Sequence, residues 1–144
     1  VGGWPGEERI IMAKMTGRCL CGQVTWWTSD RILWAGHCHC ESCRRATSSP
    51  FTSFFGVRRD AITWTGELTL RSSSAGVERG FCSSCGSQML YRSQRWPDET
   101  HLHAVTLDDP SLFQPKAHFH WAERVPWLTV VDDLPKYAST ADDS

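Results

Sequence analysis

Hydrophobic positions along the chain come in short runs separated by turn residues, and no stretch carries a long amphipathic helical period. Gln23 to Trp27 follows Gly22 and is rich in β-formers, which predicts a strand. Phe51 to Val57, Ala61 to Thr65, Glu67 to Arg71 and Met89 to Arg92 are read the same way, with a hairpin expected across Gly66. His101 to Leu107 alternates moderately and predicts another strand, and Trp127 to Val131 a last one. Arg95 to Glu99 reads as a loop, Asp108-Asp109-Pro110 as a turn, and Ser111 to Gln114 as one helical turn. Glu41 to Ala46 starts a short helix. The polar stretch from Asp132 to Ser144 is expected to fray after Tyr137. This pattern predicts a mainly β fold in a single compact domain. Its expected boundaries are residues 15–137, after an N-terminal extension or cloning remnant (1–14) and before a flexible C-terminal tail (138–144).

Composition narrows the class. At 144 residues with 40% hydrophobic and 22% charged side chains, the chain suits one soluble globule. A formal net charge of -1 supplies no field for nucleic acid or an anionic membrane. No apolar run approaches the roughly 20 residues that span a bilayer. The first fourteen residues, VGGWPGEERIIMAK, lack a secretory layout and begin without Met, and a natural start at Met12 or Met15 is expected. A cytoplasmic location is therefore expected, where thiols stay reduced. Of the eight tryptophans, Trp26, Trp34, Trp64 and Trp127 are assigned to the core. Trp96 and Trp121 are the candidates for lining a cleft.

The seven cysteines change the picture most. An odd number leaves a thiol over from any disulfide framework. They fall as Cys19-x-Cys21, Cys38-x-Cys40-x-x-Cys43 and Cys82-x-x-Cys85. Close pairs on tight turns present thiolates to a metal, and a structural zinc site takes four ligands, commonly two such pairs. Cys82 and Cys85, followed by Gly86, pair with Cys19 and Cys21, followed by Gly22. Cys38, Cys40 and Cys43 then remain as three ligands without a fourth. Three protein ligands and one open position is the catalytic pattern for zinc. Three thiolates around Zn²⁺ leave a local charge of 2 − 3 = −1, which suits a soft ligand such as a substrate thiolate. Spacing leaves open whether His37, His39 or a distant His101, His103, His118 or His120 closes that site.

In these residues the sequence resembles the glutathione-dependent formaldehyde-activating enzyme (GFA) family, whose domain is shared with centromere protein V. The resemblance rests on Gly17-x-Cys19-x-Cys21-Gly22-x-Val24, on Cys38-His39-Cys40-x-x-Cys43-Arg44-Arg45 and on Phe81-Cys82-x-x-Cys85-Gly86-Ser87. It continues through Leu107-Asp108-Asp109-Pro110, Pro115, His118 and Pro126-Trp127, so that it spans Met15 to Tyr137. It implies an Mss4-like zinc-binding β fold. It also implies a structural zinc on Cys19, Cys21, Cys82 and Cys85 and a catalytic zinc on Cys38, Cys40 and Cys43. The implied activity is carbon–sulfur lyase chemistry on glutathione-type thiol adducts such as S-hydroxymethylglutathione.

Arg44 and Arg45 follow the metal loop and are candidates to clamp a glutathione carboxylate, or to neutralise the zinc–thiolate charge. His37, His39, His118 and Glu41 are candidates for proton transfer. The expected ligand is a small thiol or thiol adduct, with neither nucleic acid nor membrane as a partner, and interfacial tryptophans would suit a homodimer. The rival readings are a zinc-stabilised binding module without chemistry and a zinc hydrolase.

Overall fold

The computed structural model describes residues 14–141. Among them, ten strands and one α-helix follow in chain order. They are Met15–Arg18 (β1), Thr25–Thr28 (β2), Trp34–Cys38 (β3), Glu41–Thr47 (α1), Thr52–Arg58 (β4) and Thr63–Thr65 (β5), then Leu68–Ser74 (β6), Val77–Cys82 (β7), Gln88–Ser93 (β8), Glu99–His103 (β9) and His118–Phe119 (β10). Strands dominate, in agreement with the mainly β expectation. Contacts divide the chain into two compact units, one of residues 14–34 with Phe55–Phe113, the other of Ala35–Phe54 with residues 114–141.

The first unit holds a three-stranded sheet, β1-β2-β5, and the run β9-β8-β7-β6. β1 and β2 pair antiparallel with Gly17 opposite Trp26. The Thr-Trp-Trp-Thr sequence of β2 alternates as a half-buried strand must. Trp26 is 1% exposed and Trp27 is 39% exposed. Trp26 lies against Phe55 at 6.1 Å between ring centroids and donates its Nε1–H to Thr106 Oγ1 at 3.1 Å. A side chain on Gly17 would collide with the Trp26 indole, since its Cβ would lie 2.3 Å from Cε2. Met15, Val24, Val57, Met89, Leu90 and Leu102 complete this core.

The turn at Gly66 does not make the expected hairpin. β5 pairs with β2 and β6 pairs with β7, so the chain changes sheets there. Gly66 has φ +95, and its Cβ would lie 1.9 Å from the Gln23 carbonyl oxygen. Only glycine fits that crossing.

In the second unit β10 runs parallel beside β3, with His118 opposite His37 and Phe119 opposite Cys38. His37 N and His39 N donate to Ala117 O and Phe119 O, both at 2.9 Å. β3 carries no strand signal in sequence because Gly36 interrupts it. A Cβ on Gly36 would meet the Phe119 ring at 2.5 Å, so the glycine is where β10 packs close. α1 starts where expected, with Cys40 as its N-cap in extended conformation, and stops at Ser48 in the left-handed region, φ 53.

Further expectations fail. The His101–Leu107 strand lies two residues earlier and gives way to a 3₁₀ turn at Ala104–Thr106. Trp127 to Val131 forms no strand, and Trp127 is not core: Trp127 is 71% exposed and Val131 90%. β propensity expresses itself only where a neighbouring strand offers a ladder, and none pairs with this segment among the described residues.

The adjacent tryptophans of β2 make a direct check on this packing. Trp26→Ala should lower the unfolding free energy by about 3–5 kcal/mol. Trp27→Ala should cost well under half of that, both read by denaturant unfolding.

Candidate metal centre

Two turns of the first unit are built alike. In one, Cys19 N–H donates to Val24 O at 3.0 Å and Gly22 N–H to Cys19 O at 3.3 Å. In the other, Cys82 N–H donates to Ser87 O at 3.0 Å and Gly86 N–H to Cys82 O at 2.9 Å. Gly22 and Gly86 both have positive φ, +83 and +80, which lets each loop fold back tightly after its second cysteine. The loops are also tied together: Leu20 N–H donates to Ser87 Oγ at 3.0 Å, and Ser84 Oγ–H to Gln23 Oε1 at 2.8 Å.

This scaffold brings Cys19, Cys21, Cys82 and Cys85 into one group whose sulfurs all lie within 4.8 Å of one another. Cys19 Sγ is 3.6 Å from Cys21 Sγ, and Cys21 Sγ is 3.8 Å from Cys82 Sγ. A tetrahedral zinc with Zn–S bonds near 2.3 Å needs sulfurs about 3.8 Å apart, so the donor set fits. Backbone N–H groups point at the sulfurs: Val24 N to Cys19 Sγ at 3.3 Å and Cys85 N to Cys82 Sγ at 3.4 Å. The Ser87 hydroxyl lies 3.2 Å from Cys85 Sγ and, with the Ser87 N–H, holds that thiol down at about 5. Cys21 is pushed up to about 11. A hydrogen bond from Gln23 N–H favours its thiolate, but desolvation and the crowding of the other three sulfurs outweigh it. Four thiolates packed this closely need a cation between them.

The second unit holds the other group, Cys38, Cys40 and Cys43, again with sulfurs within 4.8 Å of one another. Cys38 ends β3, Cys40 caps α1 and Cys43 sits in its first turn. Cys38 Sγ and Cys43 Sγ are 4.0 Å apart, and Cys43 N–H donates to Cys40 Sγ at 3.3 Å. Hydrogen bonds from the Cys38 and Cys43 thiols, joined by Ser42, drive the Cys40 thiol far down. The reciprocal effect raises Cys38 well above the ordinary thiol range. Zinc fits this donor set with three protein ligands. Among the described residues no histidine, aspartate or glutamate atom joins the group.

The six histidines go elsewhere. His101 and His103 are buried in the first unit, His101 in contact with Glu99, Trp34, Tyr91 and Trp96. His120 has left-handed φ 54 and contacts Glu123 Oε2 at 3.2 Å. His37 Nδ1 meets Ser53 Oγ at 2.9 Å. His39 and His118, 1% and 0% exposed, face one another at 2.8 Å, Nε2 to Nδ1. His118 Nε2 then meets Asp132 Oδ2 at 2.9 Å. Burial, followed by the neighbouring His118, pushes both His37 and His39 down to about 4. Trp121 presses on both His39 and His118 at 5.0 Å between ring centroids, and the Arg124 guanidinium lies over the Trp121 ring, 4.6 Å from its centroid.

The candidate arginines have neighbours of their own. Arg44 donates Nε–H to His39 O at 3.1 Å, which braces the loop between the cysteines. Arg45 pairs with Glu41, one turn back, at 2.9 Å on the surface. Glu41 in turn donates its N–H to Glu123 Oε1 at 2.9 Å. Asp132 and Glu123 escaped the sequence reading, because they lie far along the chain from the loop they support and no local spacing marks them; Trp121, read as a candidate for lining a cleft, packs on His39 and His118.

The chain is β-rich and carries one four-thiol and one three-thiol group, each able to hold a metal ion. The sequence profile of the glutathione-dependent formaldehyde-activating enzyme family matches residues 14–123, and the chain belongs to that family. An uncharacterized lyase of Schizosaccharomyces pombe is 30% identical over 80 residues, 56% of this chain. The match spans 58% of that relative's length. A Rhodobacter sphaeroides protein of known crystal structure shares the fold with a TM-score of 0.57 and 24% identity, over 70% of this chain and 97% of its own. No helix among the described residues is long and apolar enough to cross a membrane.

Three desolvated imidazoles set a pH dependence. His37, His39 and His103, lowered to about 4, about 4 and about 3, bind protons more weakly folded than unfolded. Their contribution to stability is full above the unfolded pKa of about 6.5 and is lost as pH falls toward the folded values. His39 and His103 should each remove up to about 1.4 kcal/mol per pH unit within that window, and the partly exposed His37 less. Unfolding followed from pH 7 to 5 should show the decline, and the His103 ring resonances should not titrate above pH 5.

Proposed function

We propose that this protein is a zinc-dependent carbon–sulfur lyase acting on glutathione-type thiol adducts such as S-hydroxymethylglutathione. In this reading Cys19, Cys21, Cys82 and Cys85 hold a structural zinc, and Cys38, Cys40 and Cys43 hold a catalytic one. The observation that carries the proposal is the difference in ligand count between the two groups: four sulfurs in one, three in the other with no fourth side chain among the described residues. Family membership supports the same division. Zinc at the three-cysteine site would supply an open position with soft character, suited to stabilising a substrate thiolate.

The chain's own residues do the rest. Cys38, Cys40 and Cys43 present three sulfurs from a strand end and a helix start, so the geometry is set by two regular elements. Arg44 and Arg45 flank the loop as cations for a substrate carboxylate. Arg45 is solvent-exposed and only surface-paired, so a carboxylate could displace Glu41 at little cost. Arg44 offers its Nη nitrogens while Nε stays on His39 O. His37, pushed down to about 4, is neutral at pH 7 and able to accept a proton.

Metal content and turnover test this together. The purified protein should hold two zinc ions. Cys38→Ser should lose one, keep the fold and reduce glutathione-dependent formaldehyde exchange to background. Cys82→Ser should lose the other and lower the unfolding free energy by more than about 4 kcal/mol. Absence of exchange at full zinc occupancy would remove the named substrate. Equal unfolding by both substitutions would make both zincs structural and the protein a binding module.

A further inference from the structure

A polar chain lies behind the three-cysteine loop, and the proposed function gives it no part. Asp132 Oδ2, His118 and His39 form an unbroken series at 2.9 Å and 2.8 Å. Both rings are closed off from solvent. Asp132 belongs to the irregular segment after Val125, far from the cysteines in sequence, and is itself held by Lys136 at 3.5 Å.

The direction of these hydrogen bonds follows from what each group can do. A carboxylate only accepts, so His118 carries its proton on Nε2. In the neutral ring its Nδ1 is then a bare lone pair and accepts from the Nε2–H of His39. Asp132 thereby fixes the tautomer and ring orientation of two imidazoles in turn. This is how carboxylates orient histidines around metal centres, where loss of such an outer group typically costs 10–100-fold in metal affinity.

Here the last ring is not itself a ligand; its backbone joins two of them. Successive side chains on extended chain point to opposite sides. Burial agrees: His39 is buried while Cys38 and Cys40 on either side are partly exposed. The ring of His39 is therefore the anchor on the inner side of the loop whose outer side carries two sulfurs. Its backbone is clamped too, since His39 N–H donates to Phe119 O and His39 O accepts from Arg44. Anchored this way, the peptide units on both sides of His39 cannot rotate to splay Cys38 and Cys40 apart.

We infer that Asp132 and His118 are positioning residues that act through His39 to hold Cys38 and Cys40 in metal-binding geometry. The inference rests on the proposed assignment of a zinc to Cys38, Cys40 and Cys43. It does not depend on what that zinc does.

The test is zinc competition against a chromophoric chelator on the fully loaded protein, with the four-cysteine zinc as internal reference. Asp132→Ala should weaken one of the two zincs by about 10–100-fold, leave the other unchanged and keep the melting temperature of the loaded protein close to wild type. Asp132→Glu should recover part of the loss, and His118→Gln should match or exceed Asp132→Ala. Ring ¹⁵N spectra of the wild type should show His39 and His118 both protonated at Nε2. Affinities within twofold of wild type in Asp132→Ala, or ring protons on Nδ1 of both residues, would overturn the inference. If His118→Gln does not fold, the Asp132 pair decides alone. A wild-type protein that binds one zinc refutes the two-zinc reading and this inference with it. Two zincs with the expected losses but no turnover refutes the lyase alone.

Discussion

Everything in this fold that bears on function depends on sulfur atoms held closer than thiolates tolerate without a cation. Four of them converge on Cys19, Cys21, Cys82 and Cys85 from two turns separated by about sixty residues, at spacings that match a tetrahedral zinc. Desolvation and the crowding of the other three sulfurs push Cys21 up to about 11, while hydrogen bonds from Ser87 hold Cys85 down to about 5. A cation bound at the centre would remove that conflict and close a long loop of chain, which would make its binding energy part of the folding energy.

The three-cysteine group has the same local chemistry and a different setting. Its sulfurs come from the end of β3 and the start of α1, and the structure invests in the support of that loop. His39, His118, Asp132, Trp121 and Glu123 pack behind or beside it through direct contacts. A row of two buried imidazoles and a carboxylate is a costly arrangement for a loop that only needs to turn, because both rings are taken out of water. Its presence behind this loop, and the absence of a fourth ligand among the described residues, both fit a site whose geometry matters beyond stability.

Much of this was legible in the sequence because cysteine spacing is local. A pair separated by one or two residues with a following glycine describes its own turn, and the structure brings the sulfurs of Cys19, Cys21, Cys82 and Cys85 within 4.8 Å of one another. Strands with clear alternation, such as Thr25–Thr28, were legible for the same reason. What escaped was set by distant pairing. β3 is a strand because β10 runs beside it, and Gly36 reads as a breaker until Phe119 is seen against it. Trp127 to Val131 erred the other way, a strand-like composition with no strand to join. Asp132 could not be recognised because its importance comes from meeting His118 across the second unit.

The central claim is that two thiol groups bind the same metal and differ in having a closed or an open coordination position. Absorption spectroscopy of the protein loaded with two cobalt(II) ions, titrated with an exogenous thiol, tests it most directly. The account predicts that added thiol changes the bands of one cobalt per chain and leaves the other untouched, and that Cys38→Ser abolishes the response. A spectrum in which neither cobalt responds would mean that both sites are already closed, and would contradict it.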